Sequence, residues 1–183
     1  MIMRPRLRKL ALATHLTVAV GWIGAVLAYL VLDVSIATSE DPMVVRAAWI
    51  AMGLVVSSAV VPLALATLLT GLAMSLGTKW GLFWHWWVVM SLLLTVAAVL
   101  VLLVEEPVVT ANAARAADPT TSTRALLAIP PTLPHSVGGL IVLLVIQVLN
   151  VYKPRGLTAY GWHRLQGQRQ RFERRRASAG GSG

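Results

Sequence analysis

The chain has 183 residues, of which 57% are hydrophobic, and it carries a net charge of +9. Its mean hydropathy of +0.72 excludes both an ordinary soluble domain and an intrinsically disordered chain. Cysteine is absent, which excludes disulfides, thiolate metal sites and a cysteine nucleophile.

Four segments lack Asp, Glu, Lys and Arg and are each long enough to cross a bilayer. They are residues 10–32, 47–78, 80–104 and 125–152. A membrane-spanning helix needs about 20 apolar residues, and lipid offers no partner for an unpaired peptide group, so these segments must be helical. The sequence therefore predicts an all-α bundle of four transmembrane helices at residues 10–152. A basic N-terminus at 1–9 precedes the bundle and a basic tail at 153–183 follows it.

The four spans are predicted at about residues 10–32, 45–75, 82–104 and 134–152. The first is interpreted as a retained span, since its apolar run exceeds the roughly 7–15 residues of a signal peptide. Pro62 is predicted to bend the second span, because it lacks an N–H and its ring prevents a regular turn around Ser58. After span three, residues 105–133 are predicted to form the longest loop, with a short helix at 111–117.

Small residues and one proline mark further features of the spans. Span four begins near Pro134, and proline is accepted in the first turn of a helix. Small residues let helices approach closely in lipid. The predicted contact positions are therefore Gly21 and Gly24 in span one and Gly138 and Gly139 in span four.

Basic and acidic residues are separated along the chain. Thirteen of the sixteen Lys and Arg residues lie before span one, at Lys79 between spans two and three, or after span four. Six of the seven acidic residues lie in the other two connections. Lys and Arg concentrate in short cytoplasmic loops, which predicts both termini in the cytoplasm. The basic tail is interpreted as a topology signal resting on anionic lipid, rather than as a nucleic-acid site.

Polar residues within the spans are the candidates for function, because they are costly in a bilayer. His15 and His85 each lie six residues after a basic residue that precedes their span, which predicts a similar depth in the membrane. Gln147 and Asn150 share one face of span four and return to the same level. Two imidazoles on different helices can hold the iron of a b-type haem. This pattern favours a membrane cytochrome or haem-handling protein that exchanges electrons with quinone, with His15 and His85 as axial ligands.

Two other functions remain open at this stage. His135 begins span four at the outer face, where Asp33, Glu105 and Glu106 end spans one and three. Carboxylates and an imidazole can coordinate a divalent metal, so a metal or proton carrier is one alternative. The other is a non-enzymatic assembly or interaction module, or a transporter component, with structural histidines. Oligomerisation is compatible with each of these.

Several blocks of the sequence resemble a known family. THLTVAVGWIGAV in span one, TGLAMSLGTKWGLFWHWWVVMSLLLTV, PHSVGGL and NVYKPRGLTAYGWHR together resemble a domain-of-unknown-function family of actinobacterial four-helix membrane proteins. The resemblance covers most of residues 10–165 and implies a multi-pass protein of the bacterial plasma membrane, but no activity. More loosely, His15, Trp22 and Gly24 are similar to the first span of haem-containing four-helix proteins of the protoporphyrinogen-oxidase and copper-resistance types.

Overall fold

The structure is a computed structural model that describes residues 3–77, 83–154 and 156–180. In the last of these ranges, it describes only the backbone of residues 168, 169, 172 and 174–180. Lys79, one of the basic residues from which the orientation of the bundle was predicted, lies outside these ranges. The described residues form helices, and their only bridge of strand type is an isolated pair. The helices are α1 (Pro5–Thr38), α2 (Pro42–Val55), a π-helical segment (Val56–Val60), α3 (Val61–Gly77), α4 (Trp86–Ala117), α5 (Thr123–Leu127), α6 (Leu133–Tyr152) and α7 (Ala159–Gly180).

Four of these elements are long and apolar enough to cross a membrane: α1, the continuous α2–α3 helix, α4 and α6. Only 11–28% of the most apolar window of each is buried inside the protein. Most of their apolar side chains therefore face outward, where lipid rather than water suits them. This confirms the predicted all-α chain with four helices able to span a membrane.

The long helices run antiparallel and pack in a ring. Both α1 and α4 pack against the α2–α3 helix and against α6. The N-terminal segment meets the end of α3, where the Met3 N–H donates to the Gly77 carbonyl at 3.0 Å. Helices α1 and α4 begin at one end of the bundle, where α3 and α6 also terminate, and we call this the basic end. The opposite end, where α1 ends and α2 begins, is the acidic end.

The second span is irregular where the sequence predicts it. Residues Val56–Val60 form a π-helical segment, in which the N–H of Val61 donates to the carbonyl of Val56. Pro62 follows directly and has no N–H to offer to Ser58. A π turn inside an α-helix shifts the hydrogen-bond register by one residue. The predicted loss of a regular α turn around Ser58 is confirmed, and the helix continues through it. The predicted bend at Pro62 stays a prediction.

The predicted loop at residues 105–133 is wrong over its first half. Helix α4 continues past Pro107 to Ala117, so the expected short helix at 111–117 is its last part. Packing explains the continuation, because Val109 and Ala116 are buried in the hydrophobic core. Tertiary burial of this kind outweighs the local cost of one proline.

Arg46 of α2 closes the end of α4. Its guanidinium donates to the carbonyls of Ala116, Asp118 (2.9 Å) and Thr121 (3.1 Å). These include orphan acceptors at the helix end that a cation satisfies well. Hydrogen bonds from the Thr120 hydroxyl and N–H, with a smaller contribution from Arg46, hold the pKa of the Asp118 carboxyl below its usual value.

The largest fully buried side chains of the core lie toward the acidic end. The apolar ones are Trp49, Met52, Leu126, Val45 and Val109. They come from α2, α4 and α5, so the extension of α4 and the short helix α5 together cover α2. This packing forms a closed cap on one end of the bundle.

Glycines mark close helix contact at a position other than those predicted. A Cβ on Gly24, Gly138 or Gly139 would meet nothing within 4 Å, so the prediction of contact faces is wrong there. A Cβ on Gly21 would make only ordinary contact with a Leu side chain, at 3.5 Å. A Cβ on Gly53, by contrast, would lie 2.5 Å from the Cβ of Ala113. At Gly53, α2 therefore lies in close contact with the extended part of α4.

At the basic end, the chain after α6 returns to the start of α4. The Thr158 N–H donates to the Trp84 carbonyl at 3.0 Å, and the Trp86 N–H donates to the Gly156 carbonyl at 3.3 Å. His85 and Leu157 form an isolated antiparallel bridge between these bonds. Helix α7 then begins, so its first turn is fixed to the entrance of span three.

Candidate functional site

A cavity of about 640 Å³ lies between the four spans in the basic half of the bundle. Ligand pockets typically have volumes of roughly 300–1,000 Å³. Most of its lining is apolar, and α1, α3, α4 and α6 all contribute to it. Arg8 and Lys153 line it where α1 begins and α6 ends. The cavity therefore combines apolar walls with cationic residues at the basic end.

His15 lies on the wall of this cavity and is held by α3. Its Nδ1 is 2.9 Å from the Thr70 hydroxyl oxygen. That hydroxyl donates its own proton to the Ala66 carbonyl at 2.7 Å, so its oxygen accepts from Nδ1–H. The Thr67 carbonyl lies 3.2 Å from the same hydroxyl oxygen. A neutral His15 with its proton on Nδ1 presents Nε2 as an acceptor or metal ligand.

Gly71 makes room for this ring. A Cβ at that position would lie 3.3 Å from the Cε1 atom of His15, which is tighter than nearly all real contacts. The imidazole thus packs directly on the α3 backbone. A ring fixed by packing and by a hydrogen bond has a defined orientation, which is what a ligand-binding imidazole needs.

Three of the four predicted cofactor-binding residues line the same cavity. They are His15 from α1 and the pair Gln147 and Asn150 from α6. Among the residues that the structure describes, His85 does not line the cavity. The structure therefore brings together polar groups from two of the three predicted helices.

His85 lies in the junction that precedes α4, not within the helix. Its backbone is extended, α4 begins one residue later at Trp86, and the residue pairs with Leu157. The predicted equal depth of His15 and His85 assumed that both residues lie within helices, which holds for His15 alone. The ring of His85 lies 6.4 Å, centroid to centroid, from that of Trp87, which does line the cavity. Its role as a haem ligand stays a prediction.

Three further residues on the cavity wall carry buried polar atoms without a hydrogen-bond partner. They are Trp22 Nε1, Thr67 Oγ1 and Ser91 Oγ, from α1, α3 and α4. Sequence reasoning named Trp22 only in the likeness to haem-containing proteins and gave no role to Thr67 or Ser91. No local signal distinguishes these two, because a hydroxyl in a membrane helix usually bonds to a carbonyl of its own helix.

At the acidic end, Asp33 is fully buried and its carboxylate accepts three hydrogen bonds. It accepts from the Thr132 N–H (2.8 Å), from the Thr132 hydroxyl (3.1 Å) and from the Ser136 hydroxyl (2.7 Å). The Tyr29 hydroxyl lies 2.8 Å from the same Thr132 hydroxyl oxygen. These bonds attach the start of α6 to α1, which makes Asp33 a structural residue.

The structure does not bring all of the predicted outer-face metal ligands together. These ligands are His135, Asp33, Glu105 and Glu106. His135 Nε2 lies 3.3 Å from a carboxylate oxygen of Glu105, in a partly exposed pair. Asp33 uses both of its oxygens elsewhere. Over the part of the chain that the structure describes, no group of three or more His, Cys, Asp or Glu side chains is placed to hold a metal ion.

Comparisons of the chain with protein-family models, with curated proteins and with solved structures find no match. The cavity and the residues that line it are therefore the features of this chain that point to a function.

Proposed function

We propose that the protein binds a small redox cofactor of the membrane, haem b or a quinone, in the cavity between its four spans. The observation that carries this proposal is the cavity itself, because it is lined by all four spanning elements and carries an oriented histidine on its wall. Apolar walls with a few placed polar groups are typical of sites that bind apolar small molecules.

Haem b is supported by the chemistry of His15. Its Nδ1–H is used by Thr70, so Nε2 is the nitrogen that could act as an axial ligand. Haem carboxylates would meet Arg8 and Lys153 at the basic end of the cavity. Such a haem supplies one-electron chemistry. His85 does not line the cavity, so the residues present fit one axial position and not the predicted pair of imidazoles.

The proposed setting is a bacterial plasma membrane, with the basic end in the cytoplasm. The distribution of Lys and Arg supports this orientation, since basic residues concentrate on the cytoplasmic side. The basic tail would then lie close to anionic lipid headgroups. The cavity would belong to the inner leaflet.

The proposal is tested by purifying the full chain from haem-replete, quinone-containing bacterial membranes. We expect close to one molecule of haem or quinone per protein, measured from the visible spectrum and from solvent extracts. His15→Ala should reduce haem retention, while His163→Ala, a change at an exposed position on α7, should not. A protein that holds neither molecule and binds neither when they are added would refute the proposal.

A further inference from the structure

Lys153 adopts a backbone conformation that lysine disfavours. Its φ of 47° and ψ of 62° lie in the left-handed region, and among the described residues it is the one non-glycine residue with a positive φ. In that region the Cβ atom crowds the following carbonyl oxygen, so Gly, and sometimes Asn, is the usual residue. Pro154 comes next, and a residue before proline normally has an extended backbone. Two local preferences are therefore overridden at this one residue.

The path of the chain explains this conformation but not the presence of a lysine. The Lys153 N–H donates to the Leu149 carbonyl at 3.0 Å and ends α6. Only three residues later, the Gly156 carbonyl accepts from the N–H of Trp86, so the chain must turn at once toward the start of α4. A left-handed residue is a common way to end a helix before such a turn, and glycine occupies it most often. A lysine at this position points to a use for its side chain.

The side chain of Lys153 lines the cavity at its basic end, together with that of Arg8 from α1. Both residues are exposed, so a molecule in the cavity can reach them. An ammonium carries three donors, so binding an acid group there does not require that Lys153 be without other partners. Two cations at one end of a mostly apolar cavity suit an acid group that is attached to an apolar body.

The polar residues of the cavity change in character with depth. On α6, Asn150 and Gln147 precede Lys153 by three and six residues, and on α1, His15 follows Arg8 by seven, which corresponds to about 10 Å along the helix axis. The cations thus lie at the end of the cavity, and the neutral polar groups lie deeper. An occupant that meets both kinds of group has its acid at the basic end and its apolar body among the spans.

We infer that Lys153 is a specificity-determining residue of the cavity, and that its ammonium, together with the guanidinium of Arg8, binds an acid group of the cofactor. This inference rests on the proposed function and chooses between its two cofactors. Haem b carries two carboxylates, whereas a quinone carries no acid group and gains nothing from the two cations. The left-handed backbone is then the conformation in which α6 can end and still present a cation to the cavity.

The experiment compares haem b with its dimethyl ester, which keeps the ring and the iron but replaces both carboxylates by neutral esters. Affinities are measured by spectroscopic titration of the full chain in nanodiscs of zwitterionic lipid. The original protein should prefer haem b over the ester. Lys153→Asn and Arg8→Gln should each reduce this preference roughly five- to tenfold.

Lys9→Gln is the matched control, because it removes one positive charge from the same end of the bundle at an exposed residue that does not line the cavity. It should change the preference less than twofold. A second readout is the melting temperature without ligand. Asn tolerates the left-handed region better than Lys does, so ligand-free Lys153→Asn should melt no lower than the original protein.

The remaining outcomes overturn the inference in distinguishable ways. The same preference in all four proteins would show that the two cations do not bind the carboxylates. A lower melting temperature for ligand-free Lys153→Asn would show that the lysine serves the fold instead. In nanodiscs that contain anionic phosphatidylglycerol, weaker haem binding to the original protein but not to Lys153→Asn would assign the acid group to a lipid headgroup. Quinone binding without haem binding would overturn the inference and leave the proposed function intact, and binding of neither cofactor would overturn both.

Discussion

Asp33 shows how a single carboxylate can join two spans at the edge of a membrane. It is fully buried, yet three donors from the start of α6 surround it, and none of them lies in its own helix. Removing a partner from a buried charged group costs more than an average hydrogen bond contributes. The position at which α6 enters the bundle therefore depends on this one side chain.

Asp33→Asn should lower the stability of the protein by about 2–3 kcal/mol. The amide keeps one acceptor oxygen but turns an NH₂ group toward Thr132 or Ser136, whose protons already point at it. Thermal unfolding in a fixed lipid mixture should show a melting temperature roughly 5–10 °C lower. Glu40→Gln, at an exposed carboxylate, is the control. Equal melting temperatures for the two variants would show that Asp33 does not hold α6.

Sequence reasoning identified part of the candidate site at this scale. His15, Gln147 and Asn150 are conspicuous because polar side chains are rare in apolar helices, and the structure places all three on one cavity. Trp22, Thr67 and Ser91 are common types of membrane residue, and only their lack of partners distinguishes them. That lack depends on the packing of three helices, which one sequence does not contain. The depth of His85 was counted along a helix that begins only after it, so its place beside His15 stays a prediction.

Among the elements, the two interior prolines had different consequences. Pro62 follows a π-helical segment, whereas Pro107 lies within α4. Sequence analysis predicted a bend at Pro62 alone, and two acidic residues lie just before Pro107. Their charge led to the prediction of a loop, but the packing of Val109 and Ala116 in the core keeps the chain helical. Local signals thus predicted the existence of the spans well, and the end of α4 poorly.

The contact between α2 and the extension of α4 makes Gly53 sensitive to substitution. Gly53→Ala would place a Cβ 2.5 Å from the Cβ of Ala113, so the two helices must separate. Overpacking of this kind should destabilise the protein by about 1–3 kcal/mol, detectable as a lower melting temperature. Gly24→Ala is the matched control, because nothing lies within 4 Å of its Cβ and alanine favours a helix. If Gly53→Ala unfolds no earlier than Gly24→Ala, the close approach is not required.

For the whole molecule, the two halves of the bundle differ in packing. Helix α4 has 32 residues, which corresponds to about 48 Å, whereas the hydrocarbon of a bilayer is about 30 Å thick. Because Glu105 and Glu106 mark the end of its apolar part, the excess belongs to the acidic end, where α2 and α5 pack on it. A closed cap thus fixes the helices at one end and leaves a cavity between them at the other. The sequence predicted the bundle, but this asymmetry appears only once α4 is seen to continue.

The orientation of the bundle is the remaining property of the whole molecule, and the charge distribution makes a definite prediction. A fluorescent protein that folds only in the cytoplasm should be bright when fused after Arg176 and dark when inserted after Pro119, between α4 and α5. The reason is that basic residues resist translocation and thirteen of the sixteen lie at the basic end or in the tail. An enzyme reporter that is active only outside the cytoplasm should give the opposite pattern at the two sites. Replacing Arg4, Arg6 and Arg8 with Gln should give a mixture of bright and dark protein at each site, because it removes basic residues that favour a cytoplasmic N-terminus. Bright insertions after Pro119 in the unaltered chain would invert the bundle and place the cavity in the outer leaflet.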